Sequence, residues 1–546
     1  MSGVGATWEE MASNSALLRA VGSWRGDPDV WLAGSFERLP ETVRVNPLRN
    51  DDVWVEGWLE EVGAEEIDWF NGPGSAWVLP FHRGRAEGRV KEILAALHET
   101  GRITRQEAVS MIPVLALGIG KGDLVLDMCA SPGSKTTQIS ENLSESGMVV
   151  ANEVVSSRVN TLVSNVQRHG SRSAVVVNHD GRHIPRMPDE GFDGVLVDAP
   201  CSGSGTTRKN PEIWGKWSPS SGRSLQGLQV DLLSRALRIV RPGGRVVYST
   251  CSLDPIENEA VVAEVLRNNS GVKLLDALEI LEGVPGEAGM SSWPLLNEDG
   301  SISDDSEIEG AMRPPGENWI SESLTYCMRV WNDRVEGGGF FVAVLEKSSD
   351  IDDSWGEPQF HQSPNEVKED LPSSPQPIGE EISEAVKESW GRVPPDLWTR
   401  GKKILWSTPE ITEVWSSERR IRGGRTVVPG GRWRPLKVIH IGLNAARMRK
   451  GEVDRIVAKA ARPLIEEVEF GFTEVSHAAI DSILVGEEPL PSAIEGLEDV
   501  RGGHVLTCGD LCIPVWIGGR VSLMLSDSEK TIIHSQRGLS DQIEEE

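Results

Sequence analysis

From Leu124 onward the chain sets short, wholly apolar runs against longer mixed ones. LVLDM (124–128), MVVANE (148–153), AVVVNHD (174–180), GVLVDAP (194–200) and RVVYSTC (245–251) are apolar on both faces, the pattern of strands buried in a parallel sheet. TTQISENL and residues 156–168 and 223–240 predict the helices between them. This alternation predicts a doubly wound, mostly parallel α/β sheet, with GGGFFVAVLEK (337–347) as one more strand, antiparallel, at its end. The periodicity upstream is weaker. TVRVNPLR (42–49) predicts a strand and a turn, Val90 to Leu97 an amphipathic helix, and residues 101–117 a helix stopped near Pro113.

A length of 546 residues exceeds one core, and composition divides it. Residues 297–310 hold six acids and no base, which predicts a solvated insertion; residues 348–382 hold nine acids against one lysine, with Pro and Ser, which predicts a linker. The expected units are a small N-terminal α/β region (1–105), a catalytic domain (106–347), an acidic linker (348–383) and a C-terminal α+β module (384–546). No apolar run approaches the roughly 20 residues that span a bilayer. No basic start with an apolar core opens the chain, so a cytoplasmic protein without membrane contact is expected. Six cysteines without paired spacing are no disulfide framework. Cys508 and Cys512 have no second Cys or His pair nearby and read as structural thiols, with no metal expected.

The net charge of −28 argues against a polyanionic partner until it is resolved by position. Residues 101–260 carry 17 Lys and Arg against 16 Asp and Glu. From Arg419 to Lys450 there are ten basic residues and no acid, with Arg432 and Arg434 flanking Trp433. A nucleic-acid-binding surface is the reading for that run.

The candidate chemistry lies at the strand ends. GVLVDAPCSGSG delivers Asp198 and Cys201 together where open α/β sheets bind ligands, and the strand 245–248 leads to a second thiol, Cys251. Asp254, Pro255 and Glu257 predict a helix start just after Cys251, whose amide groups would favour a thiolate. The loop of Cys129, Ala130, Ser131, Pro132, Gly133, Ser134 and Lys135 lacks P-loop spacing, but it joins a strand to a helix amino terminus where a cofactor can sit. Glu153, 20 residues past Gly133, ends the second strand, with Asp180 and Asp198 at the next two. A nucleoside cofactor along the rim accounts for all three acids. Arg208 and Lys209, beside two tryptophans in TTRKNPEIWGKW, could anchor an ordinary loop or hold a phosphate backbone.

LDMCASPGSKTTQ, ANEV, VVNHD, VDAPCSGSGTTRKNPEIW and YSTCSLDPIENEAVV resemble, in order and spacing, the motifs of the Fmu/Sun-type RNA cytosine-5 methyltransferases. RKNPEIW, SLQGLQ and the insertion before RPPG are most similar to the tRNA-methylating branch, although Glu153 stands where that branch often has Asp. The resemblance implies a Rossmann-like sheet binding S-adenosylmethionine, a loosely PUA-like RNA-binding C-terminal module, and RNA, above all tRNA, as partner. It implies that Cys251 is the nucleophile, Cys201 the thiol that helps release the product, and Asp198 the acid facing the cytosine. Cys129 to Lys135, Glu153, Asp180 and Asp198 would contact the cofactor. Ribosomal RNA or DNA as substrate, and an RNA-binding scaffold without turnover, are the other readings.

Overall fold

The computed structural model describes residues 7–187, 190–303, 310–350, 374–416, 419–421, 424–426 and 436–539. The apolar runs form β1 (Leu124–Asp127), β2 (Met148–Asn152), β3 (Ala174–Asn178), β4 (Phe192–Asp198), β5 (Val240–Thr250) and β6 (Phe340–Lys347). Across the sheet they run β3-β2-β1-β4-β5-β6, the first five parallel and β6 antiparallel to β5. The order reverses between β1 and β4, so the loops leaving their carboxyl ends diverge and open a crevice. Helices cover both faces and give the sheet two apolar cores. α1 (Ser134–Leu143) and α2 (Ser156–His169) pack on one face, α3 (Pro219–Ile239) and α4 (Glu259–Asn268) on the other.

Three local expectations change. Residues 101–117 are a strand (Ile103–Arg105), a 3-10 turn (Ala108–Met111) and a helix (Ile112–Leu117) that Pro113 starts rather than stops. Proline suits a first turn because its missing N–H has no partner there anyway. β6 does not end the sheet, since Val272–Leu275 and Met328–Val330 both pair with it and Glu287–Ala288 lies beyond. The helix after Cys251 begins at Glu259, with Asn258 as its cap, because residues 255–258 form a separate turn.

The C-terminal module is not independent of the catalytic sheet. Its strand Lys437–Ile441 pairs antiparallel with β3, setting Val438 against Val177 and His440 against Val176. Trp398, Trp415, Leu436 and Val438 enter the same core as Val175 and Val177. Thr408 Oγ1 donates to the Gly147 carbonyl at 2.6 Å, and the Arg172 guanidinium lies 3.8 Å over the Trp406 ring. Part of the basic run is therefore a sheet edge, where Lys437 stays exposed and His440 is buried. Arg432 and Arg434 lie outside the described residues, as do residues 304–309 of the insertion and 351–373 of the linker.

The N-terminal region forms a four-stranded sheet containing Pro40–Val45, Ala76–His82 and Ile103–Arg105. Arg44 on its first strand is fully buried and pairs with Glu141 of α1 at 2.5 Å; Glu141 also meets His169 at 2.9 Å. Removing one partner would strand a buried charge at a cost of about 3–5 kcal/mol, so this pair fixes the region against α1. The helices Trp8–Ser13, Ala16–Arg25 and Asp29–Gly34 gave little sequence signal. They find their apolar partners far along the chain, with Trp24 edge-on to Trp217 and Trp31 to Trp214.

Candidate active site

β4 and β5 are neighbours in parallel register, Asp198 opposite Ser249, so the turns that follow them leave the sheet side by side. This brings Cys201 Sγ within 3.2 Å of Cys251 Sγ, a hydrogen-bond distance for sulfur. The Cys201 thiol is held well above its ordinary range by its hydrogen bond to Cys251, by burial and by the nearby negative charge of Glu257. Cys201 therefore keeps its proton beside Cys251. The helix predicted to start just after Cys251 begins later, at Glu259, with seven residues between them.

A cleft of about 1120 Å³ opens over this edge, lined by Pro132, Gly133, Ser134, Lys135, Asp198 and Cys251 among others. Cys201 does not line it and lies behind Cys251. Lys135 Nζ is 2.8 Å from Asp198 Oδ2 and donates to Ser110 Oγ at 2.8 Å. Burial works against the ammonium charge, but the Asp198 carboxylate outweighs it and raises the lysine above its usual value. Ser249 Oγ donates to Asp198 Oδ1 at 2.9 Å. The acid is thus clamped from two sides while 28% of its side chain stays open.

The loop between β1 and α1 is tied to its neighbours through its backbone. Ala130 N donates to Asn152 O at 2.8 Å, Arg158 to Ser131 O at 2.9 Å and Asn165 to Pro132 O at 2.7 Å. Gly133 turns the chain into α1 at φ 112°, where a Cβ would come within 2.9 Å of Leu162 Cδ1. Burial raises the Cys129 thiol, and the negative charges of Asp127, Asp198 and Glu153 raise it further. Both effects disfavour its thiolate, the nucleophilic form. Burial pushes Asp127 itself up to about 7, with Thr136 Oγ1 donating to it at 2.7 Å.

The remaining rim acids stand at their predicted strand ends with partners of their own, and neither lines the cleft. Glu153 is buried; one oxygen accepts from Val155 N at 2.7 Å and the other is 3.4 Å from Arg158. Asp180 caps a short turn and pairs with Arg182 at 2.7 Å, a bond that lowers its pKa.

Arg208 is corrected by its surroundings. Its side chain is 3% exposed and donates to the carbonyls of Glu37 and Gly337, so it holds the 206–217 loop against the N-terminal region instead of facing a phosphate. Trp214 and Trp217 are buried in the same contact. Lys209 is exposed and lines the cleft, as do Arg38 and Arg83, which the sequence did not single out. Nor did it suggest that Lys135 would pair with Asp198, 63 residues on. Among the described residues no group of three metal-ligating side chains is present, and no helix is long and apolar enough to cross a membrane.

A family model described as 16S rRNA methyltransferase RsmB/F matches residues 114–346. The chain is 38% identical over 295 residues to the multisite-specific tRNA:(cytosine-C(5))-methyltransferase of Saccharomyces cerevisiae, covering 50% of this chain and 43% of that protein. It is 30% identical over 506 residues to ribosomal RNA small subunit methyltransferase F of Aeromonas salmonicida, covering 90% and 91%. The chain spans about half the length of the yeast, Drosophila and Schizosaccharomyces pombe tRNA relatives it matches. A solved structure of a methyltransferase homolog from Pyrococcus horikoshii aligns at 28% identity and a TM-score of 0.46, over 60% of this chain and 93% of that one.

Proposed function

The chain belongs to the RsmB/F methyltransferase family, and from that membership we propose that it forms 5-methylcytosine in RNA, with tRNA as substrate and S-adenosylmethionine as cofactor. The observation that carries the reading is the thiol pair, Cys251 on the cleft and Cys201 at 3.2 Å behind it, beside the Lys135–Asp198 pair.

The residues fit the cofactor. The loop from Cys129 to Lys135 would hold it, with the partly exposed Asp180 at the neighbouring strand end accepting from its hydroxyl or amino groups and Glu153 reaching it by exchanging the 3.4 Å contact to Arg158. The partly exposed carboxylate of Asp198 on the cleft suits its positive charge. When bound, the cofactor supplies an electrophilic methyl group.

Carbon-5 of cytosine is a weak nucleophile, and Cys251 overcomes this by adding its sulfur to carbon-6 and placing electron density on carbon-5. Lys135 and Asp198 face the ring's nitrogen-3 edge and hold the proton that balances the charge developing there. After methylation a water in the cleft takes the carbon-5 proton, the electron pair left behind restores the double bond between carbon-5 and carbon-6, and the bond from Cys251 to carbon-6 breaks. Cys201 stands where it can hand its proton to the departing sulfur. The target base must leave its stack to reach Cys251.

Lys209, Arg38 and Arg83 would meet the phosphates around that base. In this reading residues 1–105 position the substrate. Residues 384–546 act as a PUA-like RNA-binding module, supported by the exposed Arg447, Arg449, Lys450 and Arg455 on the hairpin of Leu443–Arg449 and Glu452–Ile456.

One observation favours ribosomal RNA instead: the near full-length match is to an enzyme named for the small-subunit RNA. Transfer of tritiated methyl groups to purified tRNA and to small-subunit rRNA, followed by bisulfite sequencing, separates the two. Labelled tRNA with unlabelled rRNA is expected; the reverse moves the assignment, and no label in either removes the activity.

A further inference from the structure

Glu257 lies behind both thiols, and none of the roles above uses it. Its side chain is fully buried and accepts four hydrogen bonds. Oε1 takes the Ser202 backbone N–H at 2.8 Å and the Gln229 amide at 3.1 Å. Oε2 takes the Ser252 hydroxyl at 2.5 Å and the Ser202 hydroxyl. An ionised carboxylate has about four acceptor sites, so all of them are used. The donors are not a random set, because Ser202 directly follows Cys201 and Ser252 directly follows Cys251.

Further bonds stiffen both ends of this link. Ser252 Oγ accepts from Asp254 N at 3.1 Å and lies 3.0 Å from Ser204 Oγ, which accepts from Leu253 N at 2.7 Å. The Tyr248 hydroxyl donates to the Glu257 carbonyl at 2.5 Å. At Oε1 both partners can only donate, so a glutamine at 257 that turned its amide nitrogen there would meet two donors. Turned the other way, it would still lose the charge.

We propose that Glu257 is a positioning residue for the thiol pair: its carboxylate ties the Cys201 turn to the Cys251 turn and holds the two sulfurs where one can pass a proton to the other. Its effect on turnover rests on the methylation chemistry proposed above, whereas the tie itself belongs to the free protein. The charge has a second consequence, since it opposes ionisation of Cys201 and keeps the proton on the sulfur that lies behind. The other titratable and charged groups around this cluster are Cys251, Tyr248, Asp254, Glu259, Arg329 and Arg223, with Asp198 and Lys135 on the cleft side.

The test has one arm without RNA and one with it. In the full chain carrying Cys251→Ser, the rate of Cys201 alkylation by iodoacetamide is followed against pH by mass spectrometry. Adding Glu257→Gln should move the inflection down by about one pH unit, because a like charge has gone. In the chain with both cysteines, Glu257→Gln should lower kcat about tenfold and leave KM for RNA within about twofold. The fraction of protein crosslinked to RNA should rise. Ser252→Ala removes one tie and keeps the charge, so it should leave the alkylation profile in place and lower kcat by about threefold.

An unmoved alkylation profile with unchanged kcat and crosslinking in Glu257→Gln overturns the proposal. Equal loss of kcat and cofactor affinity, with less crosslinking, overturns it in favour of a purely structural role. If Glu257→Gln does not fold, native turnover in Ser252→Ala overturns it. A shifted profile in a chain that methylates no RNA keeps the tie and removes the methyltransferase reading.

Discussion

Cys201 and Cys251 are presented by the same local device, an apolar parallel strand that ends in a thiol-bearing turn, and yet the fold gives them different surroundings. Cys251 lines the cleft beside Asp198 and Lys135. Cys201 lies one layer back, its thiol raised by Cys251, by burial and by Glu257. The chemical difference between two like side chains comes from what each turn packs against, and local sequence does not carry that information. In the function proposed above, one sulfur attacks and the other holds a proton.

The strongest way to break this asymmetry is to remove the sulfur on the cleft. Cys251→Ala should lower methylation by roughly 10⁴-fold or more and abolish any covalent RNA adduct, with cofactor affinity retained by calorimetry. Cys201→Ala should act in the opposite sense on the adduct. Turnover falls by about 10²-fold, and protein crosslinked to RNA accumulates on a denaturing gel. Accumulation in Cys251→Ala instead would exchange the two roles.

A smaller effect tests the buried acids behind the Cys251 turn. Burial, then the charge of Glu257, raises Asp254 from 3.8 to about 8. A carboxyl group raised on folding holds a proton that the unfolded chain releases, so it costs stability as pH rises from about 4 to about 8. Asp254→Asn should remove that slope. Between pH 5 and 9 the unfolding free energy in urea should fall by about 4 kcal/mol less than in the native chain. The least effect is expected at the cleft rim, where Lys209→Ala should weaken RNA binding about threefold and lower its salt slope by about one. Arg208→Ala, by contrast, should act through the loop it anchors and reduce thermal stability.

β1–β5 were legible because each is buried on both faces, and a continuous apolar run carries that information by itself. The two thiols and Asp198 were legible because strand ends feed one edge of a parallel sheet. The N-terminal helices were not, since Trp24 and Trp31 pack against Trp217 and Trp214 nearly two hundred residues away. Glu257 looked like a helix residue because Asp254-Pro255 is a good helix start. A carboxylate with four waiting donors at the base of the thiol turns outweighed that preference. Arg208 looked like a phosphate ligand by composition, but backbone carbonyls of Glu37 and Gly337 claim it. The strand Lys437–Ile441 lay inside a run whose charge was its most visible property, although His440 and Ile441 are buried.

That strand sets a timetable for synthesis. β3 is complete once Asn178 has left the ribosome, but Lys437, which pairs with Asn178, follows about 260 residues later. At roughly 5–20 residues per second the wait is on the order of 10–50 s. Throughout it the nascent sheet carries an open edge of Val175, Val176 and Val177, the kind of edge that recruits strands from other chains. A chain released before Ile441 would keep its thiols and its cofactor loop and still be exposed to aggregation along β3.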